Sequence, residues 1–234
     1  MVQKKEISLL EYPEVKEVFV HLFDTLLDES ERGAIIIGTT KVEELLEKYI
    51  RTILPNDSKT YTKKLLAYPG VLSSFSSKIE LAYAFRLIGE NLYNSLNALR
   101  QIRNEAAHSS NSFLISEIRG RFEKVFDLGS SAAIIIRNQA MKMMMELKIE
   151  NIKRIFDESG LTDEQKREQW KSLVEDKELM DKVEKQIPRW ELIYGLSLIC
   201  GVIKHEEEET IKLLGESRTW NNLNRKMKAA PNSS

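Results

Sequence analysis

The sequence has a single cysteine, Cys200, so no disulfide can form within the chain. Disulfide-stapled secreted domains are therefore excluded, and a cytoplasmic location is expected. Proline and glycine are also scarce, with 5 and 10 copies among 234 residues. Because β-sandwiches and barrels need frequent turns built from these residues, their scarcity predicts long helices.

An excess of charge of one sign is lacking too. The chain has 35 Lys and Arg against 36 Asp and Glu, a formal net charge of −1. Proteins that bind duplex nucleic acid electrostatically carry clustered positive charge, so this balance argues against duplex DNA as a partner. A small basic site remains compatible with it. Charged residues at 30% and hydrophobic residues at 42% predict a folded chain.

Long hydrophobic runs are missing as well. The most apolar stretch, residues 190–203, is shorter than the roughly 20 residues of a membrane span. It also contains Glu191, so we interpret it as a buried helix and expect no membrane association. Residues 1–5 are polar and charged apart from Met1 and Val2, and no apolar core of signal-peptide length follows them.

Motifs for metals and cofactors are not found. His21, His108 and His205 lie far apart, without cysteine or histidine at ligand spacing, so we expect no metal site. Neither common glycine-rich phosphate-loop pattern occurs, and no cofactor is predicted.

Hydrophobic periodicity predicts an all-α fold. Residues 35–37 alone would suit a short strand, but no turn signal separates them from 42–46, so a helix is favoured; Gly38 within it indicates close helix packing. Serines at 73–77 and a capping box at 162–165 predict helix starts. The predicted helices cover residues 13–28, 32–54, 62–67, a stretch from these serines to 88, 90–108, 112–127, 130–158, 162–187 and 188–214. We predict a helical domain over 1–160 and a C-terminal helical extension over 161–234 that packs on or beside it.

The stretch whose residue types could support a chemical reaction is residues 103–108, RNEAAH. On a helical wheel Arg103 falls in the middle of an apolar stripe, where an arginine needs a partner. That partner is a carboxylate, a ligand phosphate, or the same stripe of a second subunit. Arg100, Asn104 and His108 share a neighbouring stripe at i, i+4, i+8 spacing.

These residue types suit RNA cleavage without a metal. A histidine can act as general acid or base near neutral pH. An arginine can stabilise the negative charge that develops on phosphoryl oxygens. Asn104 would orient the histidine or a phosphate oxygen. The structural alternative is that Arg103 pairs with a buried carboxylate and His108 merely ends a helix.

Several blocks in order carry a family resemblance. They are ERGAIIIG at 31–38, EELL at 43–46, GVLSSFSSKI at 70–79, LAY at 81–83 and LRQIRNEAAH at 99–108. This pattern resembles the mannitol operon repressor (MltR-like) family and covers roughly residues 13–130. The part after about residue 160 departs from it.

The resemblance implies an all-α, HEPN-like helical bundle with additional C-terminal helices. Active HEPN relatives use an Arg-x-x-x-x-His motif at a dimer interface to cleave RNA without metal. By that resemblance Arg103 contacts phosphate, His108 is the acid/base residue, Asn104 is the polar residue after the arginine, and Arg100 is an auxiliary cation. Other relatives are non-catalytic binding or scaffold modules.

Two functions remain open at this point. The first is a regulatory or protein-interaction module in transcriptional or stress regulation, without a DNA-reading motif of its own. The second is a metal-independent RNA endonuclease, a toxin or defence effector. A homodimer is expected, with an antitoxin or another protein as a further partner and RNA as the substrate of the second alternative.

Overall fold

The computed structural model describes residues 13–54, 59–108, 113–129 and 131–229, with side chains through residue 215 except at positions 14 and 59. All regular secondary structure in these ranges is helical, which confirms the predicted all-α fold. The helices are α1 (Pro13–Leu26), α2 (Glu31–Ile53), α3 (Lys59–Leu66), α4 (Phe75–Ala84), α5 (Glu90–His108), α6 (Ile115–Ile118), α7 (Phe122–Val125), α8 (Ala132–Glu158), α9 (Asp163–Glu175), α10 (Lys177–Glu184) and α11 (Ile187–Ala229).

The core is built around α11. Residues 190–201 of this helix are buried on every side, because α1, α2 and α8 all pack against it. Helix α5 joins the same core through α2, α4 and α7. A single buried cluster extends from Val18 to Ile203, so the C-terminal part of the chain contributes to it. The predicted division at residue 160 falls in the turn between α8 and α9 and stays a prediction.

Local signals set several helix starts. The Ser74 hydroxyl accepts the backbone N–H of Ser77 at 3.1 Å and caps α4. Thr162 and Gln165 form the predicted capping box at the start of α9. Each cap satisfies backbone donors that the first helical turn leaves unpaired.

Gly38 marks the expected close approach of helices. A Cβ built on this residue would overlap Leu196 Cδ1 of α11 and would lie 3.3 Å from Leu26 Cδ1. Glycine therefore lets α2 approach both α11 and the end of α1.

The helix predicted to reach residue 88 ends earlier, at Ala84. Arg86 adopts a left-handed conformation with φ of 57°. The Leu87 N–H bonds Ala82 O at 2.8 Å and the Arg86 N–H bonds Tyr83 O at 2.9 Å, as in a Schellman cap. This turn directs Leu87 and the residue after it into the core.

Two other predicted helices are interrupted. The predicted helix over 112–127 consists of α6, a 3₁₀ turn at Arg119–Arg121 and α7. Gly120 weakens a continuous helix at this point. The turn also places Arg119 against Glu191 of α11. The helix predicted over 162–187 breaks at Asp176, whose carboxylate caps α10. The last helix, predicted over 188–214, runs from Ile187 to Ala229.

Candidate functional site

Helix α5 carries the four candidate residues, and its bounds agree with the predicted range 90–108. The side chains of this helix that are buried repeat with a period close to seven residues. Such a repeat drifts by about 20° per seven residues around an α-helix. The buried side of α5 consists of Leu92, Ser95, Leu96, Leu99, Ile102 and Ala106.

Arg103 lies at the edge of this buried side rather than in its middle, and it is half-buried. Because the buried positions drift around the helix, the centre of the buried side has moved away from Arg103 at this end of α5. Its Nη1 donates to Asn104 Oδ1 at 3.3 Å. Within the described ranges no carboxylate lies within 4.0 Å of Arg103, so none there serves as the same-chain partner that the sequence allowed.

Arg100, Arg103 and Asn104 line one pocket of about 260 Å³. The opposite wall is the serine-rich turn that begins α4, at residues 73–76. Glu43 of α2 completes the lining. The structure therefore brings three of the four candidate residues together.

A buried charge network holds the walls of this pocket in place. Lys78 of α4 is only 4% exposed, and its Nζ lies 2.7 Å from Glu43 Oε1 and 2.8 Å from Glu47 Oε2. Arg51 also contacts Glu47, at 2.6 Å. Helices α2 and α4 are thereby joined directly beside the serine turn.

The pKa values follow from these contacts. Burial by itself lowers the pKa of Lys78, but hydrogen bonds to Glu43 and Glu47 outweigh it, so the pKa of Lys78 is raised. Burial likewise opposes ionisation of Glu47, but hydrogen bonds from Lys78 and Arg51 leave its pKa lowered. Because Lys78 and Arg51 together balance the charges of Glu43 and Glu47, the two arginines of α5 account for the remaining charge of the pocket.

The pocket has the chemistry of an anion site. Two arginines that can offer charge-assisted hydrogen bonds line it together with Ser73, Ser74 and Ser76 at the start of α4. A phosphate group has the size and charge that such donors accommodate. The sequence predicts only a capping role for these serines, because their position beside α5 depends on the turn between α3 and α4.

His108 is not part of this pocket. It is the last residue of α5 and is exposed to solvent. Five positions along a regular helix turn a side chain by about 140°, so Arg103 and His108 do not converge within one chain. Residues 109–112, which follow His108, lie outside the described ranges.

A second cluster was not predicted as a site. Glu191 of α11 is buried. Arg119 donates two hydrogen bonds to its carboxylate, from Nη2 to Oε1 at 2.5 Å and from Nε to Oε2 at 3.0 Å. Arg137 of α8 lies 3.6 Å away, and a pocket of about 220 Å³ adjoins the group. The hydrogen bond to Glu191 raises the pKa of Arg119. The sequence signal was a lone carboxylate in its most apolar stretch.

Searches for other kinds of site and for relatives were negative. Among the residues described, no group of three or more His, Cys, Asp or Glu is arranged to hold a metal ion. Likewise, no helix in the described ranges combines the length and apolarity needed to cross a membrane. Comparison with family models, curated proteins and solved structures finds no match to the chain. The resemblance to the mannitol operon repressor family and to HEPN domains stays a prediction.

Proposed function

We propose that this protein is an MltR-like helical module that acts in transcriptional or stress regulation by binding another protein. The observation that carries the proposal is the surface of α8, α9 and α10. From residue 145 to 187 no side chain is fully buried, although the segment contains large apolar residues at helical spacing. Among them are Met145, Ile152, Phe156, Trp170 and Leu173.

Leu147, Ile155, Val174 and Met180 of this segment are 36–58% exposed. Exposed apolar side chains cost free energy in water, and where they cluster on a monomer they mark an interaction site. The near-neutral charge of the chain suits a protein partner better than a nucleic-acid duplex. The α5 pocket adds an anion site but no histidine beside its arginines. These features support binding more directly than catalysis.

The proposal is tested by photo-crosslinking in the native cell. A photoreactive amino acid replaces Ile155 on α8, Arg100 in the α5 pocket or, as a control, the exposed Leu213 on α11. We expect a discrete protein adduct from position 155, and loss of the same complex on Ile155→Glu but not on Leu213→Glu. Absence of protein adducts from both test positions would contradict the proposed function.

The second candidate function is a HEPN-type RNA endonuclease. It is supported by Arg100, Arg103 and Asn104, which line a solvent-open pocket, and by the exposure of His108 at the end of the same helix. Because Arg103 and His108 do not converge within one chain, this activity requires a homodimer in which the two α5 ends meet. His108 would then take the 2′-hydroxyl proton, or return one to the leaving 5′-oxygen, while Arg103 holds the phosphate.

RNA cleavage in EDTA separates the two functions. Purified wild-type protein is incubated with mixed tRNA and rRNA beside His108→Ala and Arg103→Ala, with Arg154→Ala as a matched surface-arginine control. Light scattering and circular dichroism check assembly and folding. Cleavage by wild type and Arg154→Ala alone would establish the nuclease; no cleavage by a folded dimer over a range of pH would count against it.

A further inference from the structure

The connection between α3 and α4 exposes apolar side chains to solvent. Residues 67–71, AYPGV, carry no charge, and Ala67, Tyr68, Pro69 and Val71 are all exposed. Tyr68 is 91% exposed and Val71 is 75% exposed, more than any other large hydrophobic side chain in the described part of the chain. Apolar side chains that stand together on a surface, unlike single ones, point to a binding site. We call residues 67–71 the apolar loop.

Hydrogen bonds hold the apolar loop against the end of α3. The Leu72 N–H bonds Leu65 O at 2.9 Å, and the Ser73 N–H bonds Gly70 O at 3.0 Å. A Cβ built on Gly70 would overlap the carbonyl oxygens of Lys64 and Leu65, so glycine permits this close approach. The loop is therefore held in a conformation that turns its two large side chains outward, and binding through them needs little further ordering.

Positive charge borders the start of the apolar loop. Lys63 and Lys64, in the last turn of α3, are both exposed. Among the residues that the structure describes, no carboxylate lies within 4.0 Å of either lysine. From residue 58 to 79 the sequence has no Asp or Glu, and Asp57 lies outside the described ranges. The two lysines are therefore available to an anionic partner.

The α5 pocket adds positive charge at the end of the loop. Ser73, which bonds Gly70, lines that pocket together with Arg100 and Arg103. The carboxylate that lines the same pocket, Glu43, is already paired with the buried Lys78. The apolar loop thus adjoins lysines at its start and an arginine-lined pocket at its end, although the net charge of the chain is −1.

The shape and charge of this surface indicate a lipid bilayer as its partner. A short convex loop can enter the deformable headgroup region, whereas a protein partner would have to supply a matching pocket. Tyrosine is enriched at this depth because its ring is apolar and its hydroxyl is polar. Lysines beside the loop attract anionic headgroups at the same time. A nucleic acid would satisfy the positive charge but would offer Val71 no apolar environment.

We propose that the apolar loop docks on an anionic phospholipid surface. Tyr68 and Val71 enter the boundary between headgroups and acyl chains, and Lys63 and Lys64 lie against the lipid phosphates. This docking is peripheral and needs no spanning helix, and it departs from the sequence expectation of no membrane association. It goes beyond the proposed function and does not depend on it.

Vesicle sedimentation with the full-length protein tests the proposal. Vesicles of phosphatidylcholine alone are compared with vesicles that also contain phosphatidylserine, at several salt concentrations. We expect binding to the phosphatidylserine vesicles that weakens as salt rises, and binding to phosphatidylcholine alone that is at least about tenfold weaker. Inorganic phosphate should compete no better than chloride at equal ionic strength, because the loop and not a single anion site carries the binding.

Matched variants locate the docking surface. Tyr68→Ser, Val71→Ser and Lys64→Ala should each weaken vesicle binding about fivefold. Leu213→Ser on α11, where the leucine is 65% exposed, and Lys182→Ala on α10 should leave binding unchanged. Circular dichroism confirms that each variant is folded.

A polarity-sensitive dye reports insertion of the loop directly. Cys200 is the only cysteine and is buried, so the dye attaches selectively to Ala67→Cys. Its emission should shift to shorter wavelength on phosphatidylserine vesicles, whereas the same dye on Leu213→Cys should show no shift.

Three outcomes would overturn the proposal. One is that the folded protein binds neither kind of vesicle or binds both equally. Another is vesicle binding that Tyr68→Ser and Lys64→Ala leave unchanged. The third is tighter binding of single-stranded RNA that is lost in the same variants, which would assign the surface to nucleic acid. The crosslinking positions 155 and 100 lie outside the loop, so such a failure leaves the proposed function standing.

Discussion

Replacing Lys78 by methionine tests whether the buried charge network holds α4 against α2. The ammonium group lies between Glu43 and Glu47 at 2.7 and 2.8 Å, and the lysine is 4% exposed. Methionine keeps much of the side-chain length but removes the charge. Two carboxylates then face each other without their shared cation.

The magnitude follows from burial. Removing one partner of a fully buried ion pair costs about 3–5 kcal/mol. Here the carboxylate side chains are 21% and 26% exposed, and Glu47 keeps Arg51 at 2.6 Å. We therefore expect Lys78→Met to lower the free energy of unfolding by about 2–3 kcal/mol at neutral pH.

The pH dependence has a definite sign. The pKa of Lys78 is raised above its ordinary value of 10.5, so its contribution is present below that pH and is lost as the pH rises through the folded-state pKa. The pKa of Glu47 is lowered from 4.5, so its contribution is present above that pH and is lost as the pH falls. The difference between wild type and variant should be constant near neutrality and shrink in acid.

Urea denaturation followed by circular dichroism measures the effect. A double-mutant cycle with Glu43→Gln should show a coupling of about 1–2 kcal/mol. Lys182→Met, which breaks an exposed pair with Glu178, should cost about 0.5 kcal/mol or less. A loss no larger than that control, or a gain in stability, would refute the reasoning.

Three further predictions concern the core around α11. Gly38→Ala should lower the free energy of unfolding by about 1–2 kcal/mol, because its Cβ would overlap Leu196. At Gly215 an added Cβ meets nothing within 4 Å, so Gly215→Ala should raise the free energy of unfolding by about 0.5–1 kcal/mol. Urea denaturation of both variants measures these two changes. Burial raises the pKa of Cys200 to about 12, so a thiol reagent at pH 8 should react only at the rate of unfolding, and rapid labelling of the native protein would contradict its placement. Glu191→Gln should cost about 2–3 kcal/mol, because Arg119 loses its ionised partner, and an unchanged melting midpoint would argue against that contact.

Helices with strong local signals were predictable from sequence. The range 90–108 was predicted with the bounds that α5 has. The cap at Ser74 and the capping box at Thr162 mark their helix starts as expected. These signals depend on residues within one helical turn, where the spacing in the sequence determines which residues lie close together.

Features that depend on distant residues were not predictable. Helix α4 ends at Ala84, before the predicted residue 88, because Arg86 adopts a left-handed conformation and the chain turns there to bury Leu87. The contact of Lys78 with Glu43 joins residues 35 positions apart. Arg103 lies within the apolar stripe on an ideal wheel but at the edge of the buried side in the bundle, because the buried positions follow the neighbouring helices and drift around α5.

The candidate site was foreseen in part. Residues Arg100, Arg103 and Asn104 were expected to act together, and they share one pocket. On the helical wheel His108 shares a stripe with Arg100 and Asn104 but lies about 140° from Arg103, and in the structure it is at the exposed end of α5, outside the pocket. The serine wall of the pocket was missed because nothing in the spacing of a capping sequence reveals which helix it faces.

The central position of α11 has a consequence for how the chain is made. Synthesis delivers α1 first and α11 last, yet the two pack together, and Lys204 pairs with Glu17 across 187 residues. Until residues 190–201 leave the ribosome, the apolar faces of α1, α2 and α8 have no central helix to cover them. The bundle can therefore close only after residues 190–201 have emerged, and until then these exposed apolar faces favour misfolding and aggregation.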